Sequence, residues 1–145
     1  MNLGYVKSAF MNIDPGDKHS AIKVVELGDK SSCRVLFVQF FPAAINGYAA
    51  GDSSVDVYAD LEVYSGDPDS GGSLIFTNRA MSPAFNSPSF NYIKMWESPR
   101  IPDPGVKFDD DVWVKSPDVD LTSPDYTAVG INFVSIIYQV GSQGT

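Results

Sequence analysis

The sequence predicts an all-β protein: a single two-sheet antiparallel sandwich spanning residues 1–145, for which a jelly roll is one suitable topology. Apolar residues recur with a period of two in several segments, which is the spacing of a strand with one buried face. The 12 glycines and 10 prolines are spread along the chain, which leaves no room for long helices. A length of 145 residues with 43% hydrophobic residues suits one globular domain.

Three segments give the clearest strand patterns. From Val55 to Val63, apolar residues alternate with polar ones, which predicts a strand with one face in water. The segments Cys33–Phe41 and Ile131–Val140 are apolar on both faces. We therefore expect both to lie in the middle of a sheet that is covered on each side by a second sheet, a loop or a partner subunit.

Six shorter segments rich in Val, Ile, Phe and Tyr bring the prediction to about eight or nine strands. These segments are Tyr5–Met11, Ala21–Leu27, Ser73–Asn78, Asn91–Trp96, Val106–Phe108 and Val112–Lys115. Clusters of Gly, Pro and Asp separate them, as turns require. Two longer loops, 42–54 and 80–89, carry almost no charge, and we expect contacts with a partner there.

Composition excludes several classes of protein. The chain has 18 acidic and 10 basic residues, a net charge of −8, which argues against nucleic-acid binding. It shows neither a signal-peptide pattern nor an apolar run of about 18 residues, so we expect a soluble chain with no membrane span. The single cysteine, Cys33, lies in an apolar strand pattern and is predicted to be a buried hydrophobic residue.

Few residues suit catalysis, so we predict that the chain is not an enzyme and needs no cofactor. The one histidine, His19, follows a turn, and no Gly-x-Ser-x-Gly motif accompanies it. We interpret His19 as a surface turn residue. His19 and Cys33 together supply too few ligands for a zinc site.

Two stretches of carboxylates are candidates for a cation. In an extended chain Asp109 and Asp111 point to the same face, where like charges repel unless water or a cation neutralises them. A solvated turn is the simplest interpretation, calcium bound by Asp109 and Asp111 is the main alternative, and an acidic hydrolase site is the weakest. The loop 67–72 begins like a calcium loop but lacks the final glutamate, so we predict a hairpin loop there.

Trp113 has two open interpretations. It shares a face with Asp109 and Asp111 in the extended chain, and an aromatic ring beside carboxylates is suited to stacking on a sugar, with Tyr58 or Tyr64 as neighbours. Tryptophan is also enriched at subunit interfaces. The full set of predicted interface residues is Phe40, Phe41, Tyr48, Phe85, Phe90 and Trp113.

Two parts of the sequence resemble a known class of protein. The first combines residues 60–66 with 73–76, a strand ending in Val63-Tyr64 that is followed by a glycine-rich hairpin. The second combines residues 105–114 with 128–139, separated by what we interpret as an insertion at 116–126. Together they resemble small β-sandwich proteins of tailed-phage and other viral particles, of the capsid decoration and minor capsid type.

The resemblance implies a role without catalysis. It implies a virion structural protein that binds the outer face of a protein shell, made by a major capsid protein, as a homo-oligomer with a trimer favoured. The alternative from the residues themselves is a carbohydrate-binding module or lectin-like domain that uses Trp113.

Overall fold

A computed structural model describes residues 5–28, 32–42, 56–82, 99–117, 126–128 and 130–140. This part of the chain contains nine strands and two short 3-10 turns, at Pro15–Asp17 and Pro68–Ser70. The strands are β1 (Tyr5–Asn12), β2 (Ile22–Val25), β3 (Cys33–Pro42), β4 (Asp56–Ser65), β5 (Ser73–Ser82), β6 (Val106–Phe108), β7 (Val112–Lys115), β8 (Tyr126–Ala128) and β9 (Ile131–Val140). The all-β prediction is confirmed. No helix in these ranges is long and apolar enough to cross a membrane.

The strands form two sheets with a nested pairing pattern. The first sheet has the order β1-β9-β3-β6, and the second has the order β2-β7-β4-β5 with β8 beside β4. Leaving β8 aside, the first strand pairs with the last, β2 with β7, β3 with β6 and β4 with β5, all antiparallel. A long hairpin ribbon wrapped into two sheets has this connectivity, which is that of a jelly roll. The predicted antiparallel sandwich is therefore confirmed, with a jelly-roll order of strands.

The core lies between the sheets and is built from side chains that point inward from both. Its largest fully buried members are Phe40, Leu61, Phe108, Ile131 and Ile136. Phe40 is fully buried in this core, so the prediction that it serves a subunit interface is wrong.

A bulge in β3 explains how its buried side chains are spaced. The register of β3 shifts between Val35 and Phe37 where it pairs with β9. An extra residue in one strand reverses the alternation beyond it, so Val35 and Val38 are both buried. Simple alternation would place those two valines on opposite faces.

Three strands have the bounds that the sequence pattern predicts, whereas β5 runs four residues beyond its predicted end at Asn78. The segments Val106–Phe108, Val112–Lys115 and Ile131–Val140 match the prediction. The three-residue β8 was not predicted; it begins at the end of the segment that we interpreted as an insertion, and it pairs with β4 in parallel. The predicted strand 91–96 lies outside the described residues.

Candidate functional site

The outward-facing side of the first sheet carries a patch of large apolar side chains. Residues directly opposite each other in paired strands share a face, and the register aligns Asn12, Phe133 and Phe41 in one row. The next rows across β1, β9 and β3 are Phe10–Ser135–Gln39, Ser8–Ile137–Phe37 and Val6–Gln139–Arg34. We call these outward-facing side chains the first outer face; its apolar members are Val6, Phe10, Phe37, Phe41, Phe133 and Ile137.

Aromatic rings on this face contact one another, and each remains at least partly exposed. The ring centroids of Phe10 and Phe133 are 6.2 Å apart at an interplanar angle of 25°, and those of Phe41 and Phe133 are 5.2 Å apart at 49°. Phe10 nevertheless exposes 67% of its surface and Phe37 exposes 39%. Large apolar residues that are clustered and exposed are typical of a surface that another molecule covers.

The first sheet is also free of acidic residues. Its four strands contain no Asp or Glu, although the chain has 18 of them. The charged residues of these strands are all basic: Lys7, Arg34 and Lys107. The negative charge of the described residues therefore lies on the second sheet and in the turns, and the charged side chains of the first outer face are Arg34 and, opposite it on β6, Lys107.

The outward-facing side of the second sheet, here the second outer face, has the opposite chemistry. The Arg79 guanidinium on β5 forms a two-pronged ion pair with the Asp60 carboxylate on β4, with N–O distances of 2.5 and 2.7 Å. Lys115 Nζ lies 3.2 Å from Asp69 Oδ1. An open groove of about 330 Å³ is lined by Asp60, Glu62, Thr77, Asn78 and Arg79. Arg79, Asp60, Lys115 and Asp69 are thus paired within the chain.

Trp113 lies on the second outer face, on β7. It is directly opposite Tyr64 of β4, and Lys23 Nζ lies 6.0 Å from the centre of its ring. The Tyr64 hydroxyl donates to Glu62 Oε1 at 2.9 Å. Burial, this hydrogen bond and the nearby Glu62 and Asp69 charges together raise the pKa of Tyr64 to about 12. The half-buried Trp113 therefore lies among aromatic and charged side chains, whereas the first outer face is mostly apolar.

Asp109 and Asp111 have separate partners in the structure. Asp109 Oδ1, on the exposed β6–β7 turn, lies 3.4 Å from Lys107 Nζ. Asp111 Oδ1 accepts the Leu27 backbone N–H at 2.8 Å, and its other oxygen lies 3.8 Å from Lys23 Nζ. No group of three or more His, Cys, Asp or Glu side chains suited to a metal ion occurs among the described ranges. The geometry therefore gives Asp111 a structural task, which is to join the end of β2 to the β6–β7 turn.

The loop predicted to be a hairpin connection is one. It contains the short 3-10 turn, and the Asp67 side chain accepts the Asp69 backbone N–H at 2.9 Å. Such side-chain capping of a turn is a common role of aspartate.

His19 and Cys33 also have structural surroundings. His19 Nδ1 lies 2.9 Å from the Ser116 carbonyl oxygen, which ties the turn before β2 to the segment after β7. Cys33 is buried beneath the first sheet, where burial and the Asp111 charge raise its pKa to about 11. A thiol in that environment is a poor nucleophile.

The predicted interface residues divide into four outcomes. Phe41 is half-buried on the first outer face, Trp113 is on the second, and Phe40 is in the core. Tyr48, Phe85 and Phe90 lie outside the described residues. The sequence reasoning missed Phe10, Phe37 and Phe133 as surface residues, although the apolar residues on both sides of Cys33–Phe41 and Ile131–Val140 were the signal for an apolar outward face.

Comparison with protein-family models, with curated proteins and with solved structures gives no match.

Proposed function

We propose that this protein is a non-enzymatic structural protein of a virion, a decoration or minor capsid subunit that attaches to the outer face of a protein shell. The proposal includes self-association on the shell and needs neither nucleic acid nor a membrane. Jelly rolls occur in viral capsid proteins and in lectins alike, and a fold does not by itself fix a function. The choice therefore depends on the surfaces of the sandwich.

The observation that carries the proposal is the first outer face. Exposed Phe10 and Phe37 lie with Phe41 and Phe133 on a sheet that contains no acidic residue. A protein surface that meets this face would cover its apolar residues and would be tolerated best if it were neutral or acidic. The acidic residues elsewhere on the chain would then remain in water, where a net charge of −8 favours solubility.

Binding to shells can be tested with two matched substitutions of exposed residues. Phe37→Ser removes an apolar side chain from the first outer face, whereas Leu74→Ser removes one that is 50% exposed on the second sheet. We expect Phe37→Ser to lower co-sedimentation with intact particles at least several-fold, and Leu74→Ser to leave it unchanged. Thermal unfolding of both variants checks that each is folded.

Two results would contradict the proposal. One is a wild-type protein that is absent from purified particles and does not bind them when added back. The other is equal loss of binding in the Phe37→Ser and Leu74→Ser variants, because the first outer face would then have no special part in attachment.

A lectin-like function is the second candidate, and one observation favours it. Trp113 and Tyr64 are directly opposite each other, and the groove lined by Glu62 and Asn78 lies on the same sheet. Aromatic rings beside polar groups are suited to binding sugars. A glycan array with wild type, Trp113→Ala and Phe37→Ser, each with and without a chelator of calcium, separates the two functions. Glycan binding that only Trp113→Ala abolishes would favour the lectin.

A further inference from the structure

Among the strands that the structure describes, β1 is an unusually open edge of the sandwich. It is the terminal strand of the first sheet, and its ladder with β9 runs without a register break over all eight residues from Tyr5 to Asn12. Natural edge strands are usually short, bulged, or protected by charges and proline. The edge strands β2 and β6 have four and three residues, and the longer β5 has a break in its register with β4.

The exposed side chains of β1 are apolar on both of its faces. Four of the six large hydrophobic residues that are exposed in the described part of the chain belong to this strand: Tyr5 at 75%, Val6 at 62%, Phe10 at 67% and Met11 at 37%. Lys7 is its one charged residue. An edge with these properties is a template for pairing with another strand.

We propose that β1 pairs with β1 of a second copy of this chain, antiparallel about a twofold axis that passes through Ser8. A twofold contact uses the same surface on both copies. The two first sheets then join into one sheet of eight strands, because each contributes the four strands of its own order. In an antiparallel ladder, directly opposed residues either exchange both backbone hydrogen bonds or exchange none. Ser8 can face its copy across the axis in either kind of pair.

Side-chain matching selects the register centred on Ser8. In that register Val6 lies opposite Phe10 of the second copy, and Tyr5 lies opposite Met11. All four exposed apolar residues of each copy then have apolar partners across the axis, and Lys7 lies opposite Ala9 instead of a second lysine. Opposed apolar side chains stabilise paired strands, and opposed like charges destabilise them.

Neighbouring registers lose this match. A twofold axis through Ala9 places Lys7 opposite Met11 and Val6 opposite Asn12. An axis midway between two residues is excluded, because it would pair a side chain on one face of the sheet with a side chain on the other. The pattern of β1 is therefore self-complementary in one register.

The size of the contact predicts a dimer that dissociates measurably. Aromatic side chains carry about 150–250 Å² each, so the four exposed residues offer on the order of 400 Å² per copy, against the roughly 800 Å² per partner of a standard interface. The absence of acidic residues from the first sheet keeps the repulsion between two copies of charge −8 away from the contact. Added salt should strengthen the dimer by screening the remaining repulsion.

This contact deepens the proposed function without depending on it. It joins the two first outer faces side by side, so that Val6 and Phe10 continue one apolar surface across the axis for a shell to cover. A twofold contact gives a dimer, which differs from the trimer that the resemblance favours. The dimer can be measured on the purified chain with no particle present, so its failure and a failure of shell binding are separate results.

A cross-linking experiment tests the register. Opposed residues have Cα atoms about 4.5–5.5 Å apart, inside the range of roughly 4.4–6.8 Å that a disulfide spans, so Ser8→Cys should form a disulfide-linked dimer on oxidation. Asn12→Cys is the matched control, because it lies on the same face of β1 but about 27 Å from its copy. Cys33 is buried and does not compete.

A charge-pair experiment tests the same register in solution. Val6→Lys and Phe10→Glu should each raise the dissociation constant of the dimer about tenfold or more, because each places a charge opposite an apolar side chain. The double variant should recover most of the affinity, since each introduced lysine then faces an introduced glutamate of the other copy. Sedimentation equilibrium of the full chain measures all four proteins.

Any one of three outcomes overturns the proposal. A wild-type chain that stays monomeric up to millimolar concentration has no such contact. Cross-linking of Asn12→Cys as fast as Ser8→Cys, or a double variant no tighter than the single ones, shows association by another surface. A dimer with Ser8→Cys cross-linking and charge-pair rescue supports the proposal even where the chain binds no particle.

Discussion

The two outer faces of this sandwich are built on the same core but have opposite chemistry. The first carries exposed rings such as Phe10 and Phe37 and no carboxylate, whereas on the second Arg79 pairs with Asp60 and Lys115 with Asp69. Burial between the sheets decides which side chains point inward, but it places no such demand on those that point outward. The difference between the faces is the one that attachment through the first outer face predicts.

The strand β3 gives the largest expected effect that tests this comparison. Phe40 points into the core and Phe41 points to the first outer face. We expect Phe40→Ala to lower the free energy of unfolding by about 3–5 kcal/mol. Phe41→Ala should cost roughly 1–2 kcal/mol, since its ring is only partly buried. Chemical denaturation of both variants measures this, and an equal or reversed order would show that the faces of the first sheet are assigned wrongly.

Two aspartates of the β6–β7 turn, which leads into the second sheet, are expected to differ in what they contribute to stability. Asp111→Ala leaves the Leu27 backbone N–H without its acceptor, which we expect to cost about 1–3 kcal/mol. Asp109→Ala removes only an exposed pair with Lys107 and should cost less than about 1 kcal/mol. Thermal unfolding with and without calcium checks both values. A rise in the unfolding temperature with calcium that disappears in both variants would support the cation interpretation.

Alkaline pH separates a residue beneath the first sheet from one on the second outer face. Cys33 has a pKa of about 11 in the folded chain against 9.0 ordinarily, so the unfolded chain loses this proton first. Its contribution to stability is complete below pH 9 and is lost as the pH rises to about 11. Tyr64, raised from 10.0 to about 12, acts in the same direction but one unit higher. Denaturation midpoints at several pH values should show that Cys33→Ala removes the earlier decline and keeps the later one.

The smallest expected effect concerns the ion pair of the second outer face. Arg79→Met should lower stability by about 0.5 kcal/mol at low salt, because exposed pairs contribute little even in good geometry. A double-mutant cycle with Asp60→Asn should give a coupling energy that shrinks in high salt. A coupling that salt does not change would mean that this face is drier than the structure makes it.

The sequence was enough to predict the sandwich because its signal is local. The period of two and the turn clusters predicted strands such as Val112–Lys115 and Ile131–Val140. The alternation within a strand is enough to indicate which of its side chains are buried. The bulge at Val35–Phe37 could not be predicted, since the pairing partner across the sheet determines where an extra residue is accommodated. That bulge decides which of the apolar residues in Cys33–Phe41 point outward.

The candidate surface was only partly predictable for a related reason. Apolar residues on both sides of a strand indicate that something covers each side, but they do not distinguish a second sheet from a partner. Phe40 and Phe41 are adjacent and chemically identical, yet one is in the core and the other on the first outer face. Asp111 gained its role from Leu27, 84 residues away, which no local pattern could indicate.

The most direct test of the central claim is covalent footprinting of the protein free in solution and bound to particles, read out by residue. We predict strong protection of Phe37, Phe41 and Ile137 on binding, with the labelling of Tyr64 and Trp113 unchanged. Phe37 distinguishes shell binding from β1 pairing, because β9 separates its strand, β3, from the β1 edge. Protection of Tyr64 and Trp113 with Phe37 still labelled would contradict the account, because the second outer face would then be the one that meets the partner.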